Sequence, residues 1–450
     1  MSQTNAYRKL FRHFWRVVRY LVLGLMVLIA LYAVARIIDV TLGSFYEGSR
    51  GPYLQMLSDT SVTLRWQSED AHIGVVRFGV NKNALDKEVT ERMAVESHEL
   101  RLTGLAPLQR YYYQVGNKKE EFSGVQSFVT AASTGSPTAV RFWVTGDQGY
   151  RGSIQTDVMN NAWQWLKSNV RPERGLIDFW LTTGDNAYPS GSNTQFQENF
   201  FQPYADILST HVVWPAYGNH DARRRAFFDI FSLPTNAESG GTASHTENYY
   251  SFDYGQLHVV MLDSQSNDLS ADGKMATWLQ ADLKATHQPW RIVVMHHPSY
   301  TKGSHDSDRL DDSGARLFEV RENLLPIIER LGVDMVITGH SHMYERSHAI
   351  ACHYGESSEW KPEFVRDNTT PYSKNLGTVY MVLGSSSRLD NGPLNHPAMQ
   401  VSLRQAGSVV IDVDKGVLTS RFINRQGQLA DAFQIVKDNS STTKQLQHCE

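Results

Sequence analysis

Cysteine is almost missing from this chain of 450 residues: only Cys352 and Cys449 occur. Neither stands in a Cys-x-x-Cys pair or a Cys/His zinc spacing, so nothing points to a cysteine-built structural metal site. Their spacing is compatible with a disulfide, if the chain is exported, and equally with two free thiols. Acidic residues are missing from the first 38 positions, where Arg8, Lys9, Arg12, Arg16, Arg19 and Arg36 stand unopposed. Taking those six positives from the net charge of −4 leaves the remainder at about −10. A nucleic-acid-binding face carries the opposite sign, so nucleic acid is not an expected partner. No internal repeat is evident. The hydrophobic share of 41% and charged share of 20% argue against wholesale disorder, and the length allows more than one domain.

One long uncharged run breaks this pattern, the 16 residues Tyr20–Ala35 between Arg19 and Arg36. As a helix it spans roughly 24 Å, slightly short of a bilayer core. Arg36 can snorkel to the interface and let Ile37 and Ile38 extend the span. The basic stretch ahead of the run predicts a cytoplasmic N-terminus with everything after it across the membrane. Residues 1–47 then form a cytoplasmic tail and anchor. The alternative is a signal peptide cut after Ala35, since Ala33-Val34-Ala35 has the small-x-small form. The 19 residues ahead of the run favour the anchor. Either way the remainder is expected outside the cytosol, periplasmic or extracellular.

Residues 48–132 read as β structure. Ser61–Gln67 alternates apolar and polar side chains at period two, and short runs at 75–80, 97–102, 111–115 and 125–129 follow. This spacing predicts a small antiparallel sandwich. Leu105–Tyr111 resembles the tyrosine corner of fibronectin type III domains, and the module is read as a structural spacer. After a linker at Thr134–Pro137 the pattern changes to apolar strands alternating with helices at 154–169, 275–286 and 315–331. That pattern predicts an α/β domain over residues 137–435, with sites where strands end. The stretch 436–450, rich in polar residues, is expected to be a flexible tail.

Five of the predicted strands run directly into residues able to bind metal. They end in Gly146-Asp147-Gln148-Gly149, Gly184-Asp185-Asn186-Ala187-Tyr188, Gly218-Asn219-His220-Asp221, His296-His297-Pro298 and Gly339-His340-Ser341-His342. One such step is weak, because Gly and Asp are ordinary turn residues. Five at the carboxyl ends of apolar strands, rich in oxygen and imidazole donors, point to a metal site. Phosphoryl transfer needs such a site, because two cations about 3.5–4 Å apart can bind phosphate oxygens and activate water.

The five motifs together resemble those of the purple acid phosphatases within the calcineurin-like metallophosphoesterases. The resemblance spans about residues 51–435 and includes a β-sandwich ahead of the catalytic domain. It implies a fibronectin III-like sandwich followed by a four-layer α/β metallophosphoesterase domain. It further implies that Asp147, Asp185, Tyr188 and His342 hold one metal, and that Asp185, Asn219, His296 and His340 hold the other. Asp185 would bridge the two. Gly149 stands where generic relatives carry a histidine, and Tyr188 looks like its replacement; a hard phenolate suits Fe(III). The second metal is expected to be Zn, Mn or Fe(II). The implied activity is hydrolysis of phosphate monoesters by hydroxide held on the metals, with a phosphodiesterase or nucleotide-cleaving enzyme as the alternative. A non-catalytic surface binding protein is a further alternative.

By the same resemblance, His220 contacts the substrate phosphate and His305 protonates the leaving alcohol, unless His305 is a solvated loop residue. His297 is open to substrate contact, a supporting role or a surface position. Asp221 is expected to hydrogen-bond His220, and Tyr344, Glu345 and Arg346 to brace the metal loop. His72, His98 and His258 read as packing residues.

Overall fold

The computed structural model describes residues 3–171, 174–373, 377–437 and 449. Most of the expected tail, residues 438–448 and 450, lies outside them. The uncharged run and its flanking arginines form one helix, Gln3–Leu42. From Phe11 to Leu42 it is long and apolar enough to cross a membrane, by length and composition, and none of its apolar window is buried among the described residues. Its end is tied to the body of the protein. Asn193 donates from its backbone N–H to Gly43 O at 2.8 Å and from Nδ2 to Ser44 O at 3.0 Å. Asp39 pairs with Arg224 at 2.7 Å.

Two antiparallel sheets follow. Arg50–Gln55, Ser61–His72 and Val95–Thr103 make one; Lys87–Thr90, Val75–Gly79, Arg110–Gly116 and Gln126–Val129 make the other. Val62, Leu64 and Trp66 alternate inward, as expected. The opposite face is not solvated: Thr63 and Arg65 are buried too. Arg65 donates to Asp229 O at 2.8 Å and to Ser232 Oγ at 3.2 Å, so the polar face of this strand is an interface with the next module. The backbone N–H of Ala106 donates to Tyr111 Oη at 2.9 Å, the expected tyrosine corner.

The larger module is built on two mixed sheets. In the first, Val212–Pro215, Phe179–Thr182 and Val140–Thr145 run parallel. In the second, Leu257–Met261, Trp290–Val294, Met335–Thr338 and Thr378–Leu383 do so. The period of two sorts the side chains into layers. Val259, Ile292, Val294 and Ile337 join Phe142 and Phe179 in the core between the sheets. Val260, Val293 and Val336 face the other way, onto Leu279 of helix Lys274–Ala285 and Ile328 of helix Leu325–Arg330. Trp163 of helix Ser153–Ser168 packs on Trp143 across the outer face of the first sheet. The result is the expected four-layer α/β arrangement. Four strands after Leu383 were not foreseen: Met399–Leu403, Gly407–Asp414, Val417–Asn424 and Leu429–Val436. The last three form an antiparallel meander that completes the first sheet.

Cys352 and Cys449 form a disulfide with Cα atoms 5.4 Å apart, closing the question that spacing left open.

Candidate metal centre

Each of the five parallel strands that end in donor residues stops at the same edge of the two-sheet sandwich, so side chains up to about 200 positions apart in sequence converge there. The turns that make this possible are unusual. Asp147, Asp185 and His340 all adopt positive φ, at 54°, 53° and 66°. Non-glycine residues rarely hold that region unless the surroundings over-determine it, and such strain gathers at functional sites. Gly184, at φ +100°, has no room for a side chain: a Cβ would lie 2.6 Å from His296 Nδ1 and 3.0 Å from Gly218.

Two donor groups share Asp185. On one side, Tyr188 Oη lies 3.0 Å from Asp185 Oδ2, 3.1 Å from Asp147 Oδ1 and 3.2 Å from His342 Nε2. His342 Nε2 is 3.4 Å from Asp147 Oδ1. On the other side, Asn219 Oδ1 lies 2.9 Å from His296 Nε2 and 3.0 Å from His340 Nδ1. Asp185 Oδ1 is 3.6 Å from His296 Nε2. The structure thus brings together the seven residues that the resemblance implies as donors, in the two groupings it implies. Asp147, Asp185 and His296 also form a compact cluster of potential metal donors.

The donor chemistry fits two cations. His296 Nδ1 lies 2.8 Å from the carbonyl of Thr183, which only accepts, so Nδ1 carries the proton and Nε2 presents a lone pair. His342 Nδ1 is held in the same way by Asp390 Oδ2 at 2.6 Å. Burial, reinforced by His297 and His296, holds His340 well below the usual imidazole range, the neutral form a cation requires. Burial and the carboxylates of Asp147 and Asp185 push the Tyr188 phenol well above its ordinary value. Without a cation beside it this hydroxyl stays protonated; a bound cation would supply the charge that releases the proton.

The neighbouring histidines are sorted by their contacts. His220 donates its backbone N–H to Asp185 Oδ1 at 2.8 Å, and its ring stands beside Tyr188. Its Nδ1 lies 2.7 Å from Pro189 O, so Nε2 is left toward the centre, 3.9 Å from Asp185 Oδ2. His305 is not a solvated loop residue: its ring stacks on His340 at 3.9 Å and its Nδ1 lies 2.7 Å from Asp312 Oδ1. His297 is not at the surface. It is buried, with Nδ1 2.9 Å from Ser264 Oγ and its ring beside His296 and His340.

Two expectations need correction. Asp221 makes no hydrogen bond to His220. The turn Asp221–Arg223 rotates the carboxylate inward, where it accepts from the backbone N–H groups of Asn186 and Gly218 and from Asn186 Nδ2. It therefore locks the loop carrying Asp185. Tyr344 and Arg346 reach away from the centre to Asp431, both at 2.7 Å. Only Glu345 faces the site loops, accepting from Thr301, whose hydroxyl also bonds Ser341. Asp390, Ser264 and Asp312 were missed in the sequence because each sits in a polar connecting segment with no motif.

Comparison with known proteins agrees with this architecture. Residues 140–344 match the family model for calcineurin-like phosphoesterases, and residues 50–130 match that for the purple acid phosphatase N-terminal domain. Purple acid phosphatases 21 and 22 of Arabidopsis thaliana are 31% and 30% identical, over 55% and 60% of this chain. The chain spans 53% and 60% of the length of those two relatives. Among solved structures, purple acid phosphatase PPD1 of yellow lupin (Lupinus luteus) superimposes with a TM-score of 0.68 at 20% identity. That match covers 86% of this chain and 74% of the lupin protein, a likeness of fold. The two matches stand in order, so the chain carries a purple acid phosphatase N-terminal domain followed by a calcineurin-like phosphoesterase domain.

Proposed function

We propose that the protein hydrolyses phosphate monoesters at a binuclear metal centre. The observation that carries this reading is Asp185, whose two carboxylate oxygens face two separate donor groups. Asp147, Asp185, Tyr188 and His342 would hold Fe(III); Asp185, Asn219, His296 and His340 would hold Zn, Mn or Fe(II). When bound, two such cations draw charge from phosphate oxygens and bring a water from its ordinary pKa of about 15.7 toward neutrality. His220 directs Nε2 toward the phosphate position and orients it. His305, aligned by Asp312, gives a proton to the departing alcohol from its remaining ring nitrogen. His297, aligned by Ser264, lines the same space beside His340.

The apolar helix and the Cys352–Cys449 disulfide support a chain anchored in a membrane with its centre outside the cytosol, where disulfides persist. Secretion after cleavage near Ala35 is the alternative, and recovery of the peptide Met1-Ser2-Gln3 from the mature protein excludes it.

The test compares a chromogenic phosphomonoester with the matching diester, before and after chelation and metal restoration, on the full chain in detergent. Metal-dependent turnover favouring the monoester supports the proposal. Preference for the diester moves the function to phosphodiesterase on the same metals. Turnover insensitive to chelation, or none after metal is restored, overturns it. Elemental analysis for iron tests the assignment at Tyr188.

A further inference from the structure

A cavity of about 530 Å³ lies beside the N-terminal helix and touches the candidate metal centre at one of its donors, Asn219. Arg36 and Val40 of the helix line it as well. So do Arg223, Arg224 and Arg225, against a single acidic lining residue, Asp229. Asp39 is already shared between Arg36 at 2.9 Å and Arg224 at 2.7 Å. Arg223 and Arg225 are exposed, and among the described residues neither is paired with a carboxylate. None of these arginines belongs to the two donor groups; Arg223 donates from Nη1 to Pro189 O at 3.1 Å, the carbonyl that also holds His220 Nδ1, and its other guanidinium nitrogens remain for a ligand.

The helix sets the depth of this cavity. Arg36 ends the uncharged run that begins at Tyr20, and with Ile37 and Ile38 extending the span the outer boundary of the apolar layer falls just beyond it. Val40 follows it by about 6 Å of helix rise, placing the cavity mouth at headgroup level. Leu42 and Phe45 beside it are 66% and 65% exposed, apolar surface suited to the same boundary.

We propose that this cavity takes the phosphorylated headgroup of a membrane lipid and delivers a lipid phosphomonoester to the metal centre. The inference rests on the phosphatase and anchor readings above. The acyl chains stay in the bilayer alongside the helix; only the headgroup enters a space of this size. Arg223 and Arg225 hold the phosphate through charge-assisted hydrogen bonds, whose geometry matches a guanidinium. Water then adds to phosphorus, the ester P–O bond breaks, and the lipid oxygen takes a proton. The products are a lipid alcohol and orthophosphate.

The experiment uses the full chain in phosphatidylcholine vesicles, with phosphatidate in the bilayer as one substrate and a soluble aryl phosphate as the other. The expected kcat/KM is at least about tenfold higher for phosphatidate. Combining Arg223→Gln with Arg225→Gln should lower the ratio of the two kcat/KM values about tenfold, the scale of a lost charge-assisted hydrogen bond. Turnover of the soluble ester without advantage for the lipid overturns this inference alone. So does an unchanged ratio in the double variant. Absence of hydrolysis of either ester overturns the proposed function and this inference with it.

Discussion

His342 is held by Asp390 through a 2.6 Å hydrogen bond from ring Nδ1 to carboxylate Oδ2. The bond sets the tautomer and turns Nε2 toward Tyr188 and Asp147. Asp390 comes from a turn 48 residues beyond the histidine and reaches no other donor of the centre.

Asp390→Ala should therefore weaken the centre without removing a donor. Activity on a phosphomonoester is expected to fall about 10- to 100-fold, the usual cost of losing the partner of a metal-bound histidine. Metal retained after dialysis against a chelator should fall in parallel. Full retention would show that His342 keeps its orientation unaided.

Asp185→Ala removes the one carboxylate common to both donor groups. Metal content should drop below two ions per chain, and kcat should fall by at least about 10², the scale of losing one charge-stabilising group. Retention of full activity would refute the shared role.

His305→Ala should separate proton donation from binding. General acid catalysis contributes about 10²–10⁴-fold, and its loss hurts poor leaving groups most. The slope of log kcat/KM against leaving-group pKa should steepen in the variant. An unchanged slope would return His305 to a stacking role on His340.

His258 lies far from these chemistries and predicts a pH dependence of stability. Burial opposes its charge, but Asp253 at 2.8 Å and Asp282 at 2.9 Å push it up to about 9. A histidine raised from 6.5 to about 9 contributes stability that is complete below pH 6.5 and lost as pH rises through 9. The contribution is on the order of 3 kcal/mol. His258→Gln should destabilise the fold more near pH 6 than above pH 9, measured by urea unfolding at both values. Equal loss at the two pH values would mean that the histidine is not charged in the folded state.

The layers were legible because local pattern and tertiary role agree there. Val259, Val293 and Ile337 sit in runs of three or four consecutive apolar residues, the mark of a strand buried on both faces. Glycine-acid and glycine-histidine steps after such runs could be read for the same reason: a sharp exit from a buried strand needs those residue types. The Gly407–Val436 meander escaped because its short polar turns carry no signal of which sheet they join. Arg65 misled in a simpler way, since an alternating strand looks the same whether its polar face meets water or Asp229 and Ser232.

What the sequence determined by itself, then, was the pair of modules, the apolar N-terminal run and the five donor-rich strand ends, all properties of residue type and short-range order; the seven candidate donors came with the family resemblance. The tertiary structure alone decided which further residues hold those candidate donors and the histidines beside them. Asp390 behind His342, Ser264 behind His297, Asp312 behind His305 and Asp221 under the Asp185 loop come from separate turns. A hydrogen bond needs two groups within about 3 Å at a suitable angle, and only the packing of the two sheets brings these turns to that distance.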